Sequence, residues 1–255
     1  MTGGSAGLGL ALARLLLQQG WSVSITGRNA NQLQTAADQL GHVQTILADA
    51  SDIDEANKTV NTHIEHFGRI DALFNVVGQS DRGRVESLSP DRLRELLDTN
   101  VLTALINAQA ALDHLRQTRG VIINVGSLAG CLAPGYLGGY VTAKHALRGL
   151  TRQMRMELRD SGVHVGMVCP GPIQRDDAGT RYQQSDPSIP DAANMPGGGA
   201  KVKGLAPERV ARAIVDCAAR RRIEVILPWK IRLLMMIDDL SPAWADRILA
   251  AKTAG

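Results

Sequence analysis

The chain has 255 residues, 44% of them apolar, enough to bury a substantial core and a common size for a single α/β domain. Lys plus Arg number 28 against 25 Asp plus Glu, dispersed along the chain, which argues against a nucleic-acid surface and leaves a small basic excess suited to an anionic ligand. Cys131, Cys169 and Cys217 fall at irregular spacings that match neither a disulfide framework nor a metal-ligand pattern, so no metal is expected and a reducing compartment is. No charged leader precedes an apolar run and no stretch reaches bilayer length, so the expected location is cytoplasmic.

The chain opens on a glycine loop, Thr2-Gly3-Gly4-Ser5-Ala6-Gly7-Leu8-Gly9. From Gly7 to Gln19 the leucines Leu8, Leu12, Leu15 and Leu16 recur at helical spacing and Gly20 supplies a stop. Residues 21–26 alternate and include β-branched side chains, which predicts a strand ending at Gly27-Arg28-Asn29, and a helix follows over residues 30–40. A third apolar element spans residues 43–47, closed by Asp49, and residues 53–67 read as another helix. A buried strand is expected over residues 72–77, ending at Gly78, then a helix from Pro90 to about Leu115 and a strand over residues 121–125. A helix from about Tyr140 to Arg159 and a strand over residues 163–169 complete the regular part.

After Pro170-Gly171-Pro172 the composition changes, and residues 183–204 are rich in Pro, Gly, Ser and Asp, a long loop of the kind that forms lids or binding segments or else stays disordered. Helix returns over residues 206–220, followed by a last strand over residues 224–227. Strands alternating with helices of this length are the signature of βαβ units around a parallel sheet.

Spaced glycines also make ordinary turns, but this loop runs directly into an amphipathic helix whose free N–H groups and dipole attract a pyrophosphate, so a dinucleotide is the natural ligand. Arg28 follows the strand at which dinucleotide folds select the adenosine ribose. The acidic residue that would bond a 2′-hydroxyl is absent there, and a guanidinium beside Gly27 favours NADP(H) over NAD(H), unless Arg28 is simply solvated. Tyr140 and Lys144 share one helix face, where the ammonium can hold the phenol ionised near neutral pH although free tyrosine titrates near ~10. A Tyr-x-x-x-Lys pair also arises by chance on exposed helices. Here Ser127, just past a strand at the sheet edge where ligands bind, can converge with it.

In order and spacing these segments resemble the short-chain dehydrogenase/reductase family over nearly the whole chain. The opening loop, with Gly3, Ser5, Gly7, Leu8 and Gly9, is similar to that family's cofactor loop, Asp49 with Ala50 to its adenine contact, and Asn75-Val76-Val77-Gly78 to its Asn-x-Ala-Gly motif. Asn100 matches its structural and catalytic asparagine, Asn124-Val125-Gly126-Ser127 its serine-bearing strand, and Tyr140-Val141-Thr142-Ala143-Lys144 its tyrosine motif. Pro170-Gly171-Pro172-Ile173 resembles its nicotinamide-side turn. The resemblance implies a Rossmann-like, doubly wound parallel sheet with helices on both faces, in a single NADP(H)-binding domain over residues 1–255. Residues 174–204 would form the substrate loop and residues 228–251 an apolar helical tail.

It also implies an NADP(H)-dependent oxidoreductase interconverting a ketone and a secondary alcohol. Tyr140 would be the general acid or base, Ser127 the partner of the substrate oxygen, and Lys144 the group that lowers the tyrosine's pKa and binds ribose. Asn100 would anchor a water that relays protons from the lysine. In the family the long helices bearing Asn100 and Tyr140 pair between subunits, so a homodimer or homotetramer is expected. A 3-oxoacyl thioester reductase is the alternative substrate assignment, and a non-catalytic NADP(H)-binding sensor is the alternative of another class.

Three features depart from the pattern. Val77 replaces the usual alanine, and Arg175 stands where many members have a threonine that contacts the nicotinamide carboxamide. Only Met1 precedes Thr2, so the central first strand is missing. The natural start is expected upstream, and restoring it is expected to raise stability and NADP(H) affinity. In the tail, Trp229, Leu233, Met236, Ile237 and Leu240 fall near one helical face. Lid or subunit packing is the preferred reading over a membrane-surface helix, since Asp238 and Asp239 share the segment, and its bulky side chains suit an apolar, lipid- or steroid-like substrate.

Overall fold

The computed structural model describes residues 1–174, 189–194, 198, 199 and 203–253. In chain order the regular elements are α1 (Gly7–Gln18), β1 (Ser24–Gly27), α2 (Ala30–Leu40), β2 (Gln44–Leu47), α3 (Ile53–Phe67) and β3 (Ala72–Asn75). Then come α4 (Pro90–Leu97), α5 (Thr103–Thr118), β4 (Val121–Val125), α6 (Tyr140–Leu158) and β5 (His164–Pro170). The chain closes with α7 (Pro207–Ala219), β6 (Glu224–Leu227), α8 (Ile231–Leu240) and α9 (Pro242–Thr253).

Helix starts follow local chemistry. Asn29, Asp52 and Ser89 each accept a hydrogen bond from the backbone N–H three residues on, at 3.0, 2.9 and 3.1 Å, satisfying donors the helix leaves free. Pro90 after Ser89 occupies a first-turn position that needs no N–H. Gly68, at φ 78°, ends α3 in the left-handed conformation.

The strands pair in parallel throughout: β1 with β2 in one sheet, and β3-β4-β5-β6 in the other. Side chains alternate across the second sheet. Phe74, Ile123, Val125 and Val168 pack on one face with Ile25 of β1, under Leu12 and Leu16 of α1 and Val210 and Ile214 of α7. Leu73, Ile122 and Val165 face the other way, against Val60 of α3 and Ala111 and Leu115 of α5. Helices on both faces make the doubly wound arrangement, and the near-continuous apolar runs of the strands are its cause.

Residues 1–4 bridge the two sheets at their C-terminal edge. The Thr26 N–H donates to the Met1 carbonyl at 3.1 Å, the Gly4 N–H to Thr26 at 3.1 Å and the Thr2 N–H to Phe74 at 3.0 Å. Thr2 thereby stands in register with Asn75, where the central strand was expected to lie.

Several expected elements change length or character. The strands foreseen over residues 21–26 and 72–77 begin later and end sooner, respectively, because their outer residues serve the connecting loops. The single helix foreseen from Pro90 to about Leu115 is α4 and α5 joined by a π turn at Asp98–Leu102. The tail is two helices, broken where Pro242 cannot continue α8. Arg175 and most of the 174–204 loop lie outside the described residues. Among the described residues no helix is long and apolar enough to cross a membrane.

Candidate active site

A cleft of about 1200 Å³ runs along the C-terminal edge of the strands, from the glycine loop to α8 and α9. Gly3, Ser5, Gly7, Leu8 and Gly9 form one end. A β-carbon on Gly9 would lie 1.8 Å from the Gly3 carbonyl oxygen, so only glycine lets α1 approach the loop this closely. Gly7 takes φ +52° at the turn into the helix, a left-handed conformation other residues rarely adopt. Ala6 at the N-cap makes no side-chain hydrogen bond, which leaves the first-turn N–H groups open to an anion in the cleft.

Arg28, Asp49 and Ala50 border the cleft beside this loop. Arg28 Nη1 lies 3.7 Å from Asp49 Oδ2, and the arginine side chain is three-quarters exposed, so separating the pair costs little. The Ser51 hydroxyl, donating to Asp49 at 2.7 Å, and Arg28 beside it hold the Asp49 carboxyl below its ordinary range. Arg14 on α1 also borders this end. Sequence reasoning missed it, although its place on the polar side of an amphipathic helix was a usable signal.

Ser127 follows β4 directly, caps a short 3-10 turn by accepting the Ala129 N–H at 3.1 Å, and keeps its O–H free to donate into the cleft. Tyr140 is the first residue of α6 and Lys144 lies one turn on, its Nζ 5.7 Å from the tyrosine ring centroid. Lys144 is buried, donates to the Val125 carbonyl at 3.2 Å, and is lowered by that burial from 10.5 to about 8.

Asn100 lies in the π turn between α4 and α5. Its amide donates to the carbonyls of Leu96 and Gln79, both at 2.9 Å, and accepts the Gln79 N–H at 3.2 Å. A β-carbon on Gly78 would stand 3.0 Å from both Asn100 Oδ1 and Lys144 Nζ, so the absence of a side chain there leaves room for both groups. Asn100 is almost fully buried and stands behind the cleft wall rather than on it. The extra residue of a π turn is what lets an asparagine inside a helical run spend its amide on a neighbouring loop.

The α6 helix is fixed to β4 by a buried chain of hydrogen bonds. Asn75 Nδ2 donates to Asn124 Oδ1 at 2.9 Å, Asn124 Nδ2 donates to Thr151 Oγ1 at 2.9 Å, and the Thr151 hydroxyl donates to the Leu147 carbonyl at 2.7 Å. Asn75, assigned to the cofactor from its motif, is therefore not on the cleft wall; Val76, Val77 and Gly78 are. The N-terminus of α6 is held from the other side. Asp81 accepts the Gly139 N–H at 3.2 Å and the Arg92 guanidinium at 2.9 Å. Sequence reasoning overlooked Asp81 and Arg92, whose partners are distant along the chain.

Pro170, Gly171 and Ile173 line the opposite wall, where Ile173 pairs with Leu205. The cleft lining also includes the apolar residues Leu132, Pro134, Leu137, Ile231, Leu234 and Leu249, together with polar Ser80, Arg82 and Gln174. The apolar residues singled out from the tail sequence do not line the cleft: Trp229, just before α8, and Leu233, Met236, Ile237 and Leu240 on α8 are exposed, while Ile231 and Leu234 on the opposite face of α8 meet it. Helical spacing identified an amphipathic element, but with apolar residues on both sides it did not say which stripe faces inward.

The model of the family described as short chain dehydrogenase matches residues 1–186. The oxidoreductase YxnA of Bacillus subtilis is 29% identical, across 98% of this chain and 70% of that protein. The 11-beta-hydroxysteroid dehydrogenase 1A of Arabidopsis thaliana is 34% identical, across 68% of this chain and 51% of that protein. Among solved structures, an alcohol dehydrogenase from the archaeon Thermococcus sibiricus complexed with 5-hydroxy-NADP is 26% identical, with a TM-score of 0.73 over 89% of this chain and 94% of that one. The chain belongs to the short chain dehydrogenase family of oxidoreductases.

Proposed function

We propose that this protein is an NADP(H)-dependent oxidoreductase that interconverts an apolar ketone and the corresponding secondary alcohol, with Tyr140 as general acid and base. The observation that carries the reading is that Ser127, Tyr140 and Lys144 line one cleft, with Asn100 behind its wall and both Asn100 Oδ1 and Lys144 Nζ beside Gly78. A binding module has no need of four such groups in one place.

The cleft fits a dinucleotide on two counts: the glycine cradle that a β-carbon would fill, and the open first turn of α1. Gly3, Ser5, Gly7, Leu8 and Gly9 would hold the pyrophosphate, and Asp49 and Ala50 the adenine. Gly78, Lys144, Pro170, Gly171 and Ile173 would flank the nicotinamide half. Arg28, exposed and free of a tight partner, supports a 2′-phosphate and hence NADP(H). When bound, the cofactor supplies or accepts the hydride.

The chain's own groups handle the proton. In the reducing direction the Tyr140 hydroxyl protonates the carbonyl oxygen while the Ser127 O–H donates to it, so negative charge on that oxygen meets two donors. Lys144, still mainly charged at pH 7, stabilises the phenolate left behind, and Asn100 keeps the segment around Gly78 in place for proton return. In the oxidising direction the phenolate takes the alcohol proton. The six apolar side chains Leu132, Pro134, Leu137, Ile231, Leu234 and Leu249 in the lining support a substrate with a hydrocarbon body. Exposed Leu102 and Met156, on the segments bearing Asn100 and Tyr140, support self-association, which light scattering tests.

The decisive assay follows NADPH loss over a panel of apolar ketones. Tyr140→Phe should lower kcat/KM by about a hundredfold or more, the scale of a lost general acid, with NADPH affinity nearly unchanged. A variant that reduces ketones at near-normal rates would refute the assignment. Tight NADPH binding with no turnover of any carbonyl would favour a sensor.

A further inference from the structure

The fold brings together two thiols that the sequence keeps apart. Cys131 ends the 3-10 turn begun by Ser127, and Cys169 lies near the end of β5, immediately before Pro170. Glu224 opens β6 in register with Met167, so it shares a sheet face with Cys169. The two sulfurs and a Glu224 carboxylate oxygen all lie within 4.8 Å of one another. Both cysteines are buried, in an apolar cluster with Met167, Leu147 and Ile226.

We propose that Cys131, Cys169 and Glu224 form a binding site for a soft divalent cation of the zinc class. Zinc bonds of about 2.3 Å to sulfur set a tetrahedral sulfur-to-sulfur edge of about 3.8 Å, so the three donors need to close by about 1 Å at most. Thiolates select soft ions, and two of them exclude magnesium and calcium, which require oxygen. Coordination releases both thiol protons to solvent. Two thiolates, a carboxylate and a dication leave one excess negative charge, which Arg148 balances. Its guanidinium holds Glu224 through Nε at 2.8 Å and Nη2 at 3.2 Å, the outer support that orients a carboxylate ligand. The Glu224 side chain is 22% exposed, which gives an ion a route in and leaves the fourth position to water.

The site would join two parts of the cleft. The Cys131 thiol already contacts the Ser127 carbonyl at 3.8 Å, and Cys169 precedes the Pro170–Gly171 wall, so a bound ion ties the serine turn to that wall.

The test uses the full chain, stripped of metal and kept reduced with a phosphine. Cadmium should produce the ultraviolet thiolate charge-transfer band at one ion per chain with the intensity of two thiolates, and zinc should abolish it by competition. Cys217→Ser should leave the band intact, because Cys217 lies outside the cluster. Cys131→Ser or Cys169→Ser should halve the band and weaken binding at least tenfold, and Glu224→Gln should weaken binding about tenfold while keeping the band. In the unmodified chain, which avoids any folding defect of a variant, zinc should slow maleimide labelling of Cys131 and Cys169 at least tenfold relative to Cys217. No band with the unmodified chain, a band unchanged in Cys131→Ser, or labelling that zinc leaves unaltered would each overturn the proposal.

Discussion

Replacing Lys144 by methionine removes the buried cation at the centre of the site while keeping a side chain of similar length. Burial lowers Lys144 from 10.5 to about 8 in the folded chain. At about 1.4 kcal/mol for each tenfold change in proton affinity, keeping the charge inside costs about 3 kcal/mol at pH 7. The sign follows from proton counting. Between about pH 8 and 10.5 the unfolded chain binds the lysine proton and the folded chain does not, so stability rises with pH across that window. Below the window the full cost is present, and above it the cost is gone. Methionine carries no such cost at any pH, but leaves the Val125 carbonyl without its donor, a loss of about 1–3 kcal/mol that does not vary with pH. Urea unfolding of both proteins at several pH values, each in a Tyr140→Phe background, isolates the effect, because titrating groups that do not interact with Lys144 cancel in the difference. The chain that keeps Lys144 should gain about 3 kcal/mol on the methionine variant between neutral pH and the top of the window. A difference that stays flat to within about 0.5 kcal/mol would show that Lys144 is not held in a desolvated site, and the argument from burial would fail.

Arg28→Ala should weaken NADPH binding by about ten- to a hundredfold, the worth of a charge-assisted hydrogen bond, and change NADH binding little; equal losses for both would remove the 2′-phosphate assignment. Gly9→Ala should abolish most NADPH affinity, because its β-carbon cannot coexist with the Gly3 carbonyl, and an unchanged dissociation constant would mean that the loop is not the cradle. Thr151→Val should cost about 1–3 kcal/mol in thermal or urea unfolding by leaving the fully buried Asn124 amide without an acceptor. A neutral result there would show that Asn124 finds another partner.

The doubly wound architecture was legible because short apolar runs, of which β4 and β5 are buried almost throughout, alternate with amphipathic helices. Ile122 and Ile123 are adjacent in sequence yet pack on opposite sides, which is why the run is continuous. Boundaries were less legible, since the residues that leave a strand for a cleft-side loop have the same composition as the strand itself. The π turn at Asp98–Leu102 was invisible for a related reason: residues on either side of it keep a helical pattern.

The residues of the candidate site were set by the sequence, since a glycine loop, a serine after a strand and a tyrosine four residues before a lysine are local patterns. Their arrangement was decided only by tertiary structure. The approach of Asn100 and Lys144 to Gly78, withdrawal of Asn75 from the cleft wall, docking of Asp81 on the start of α6 and the approach of Cys131 to Cys169 all join segments distant along the chain. Such contacts depend on which helix face meets the sheet and in what register the strands pair, quantities that arise from packing the whole core at once and that no single segment encodes.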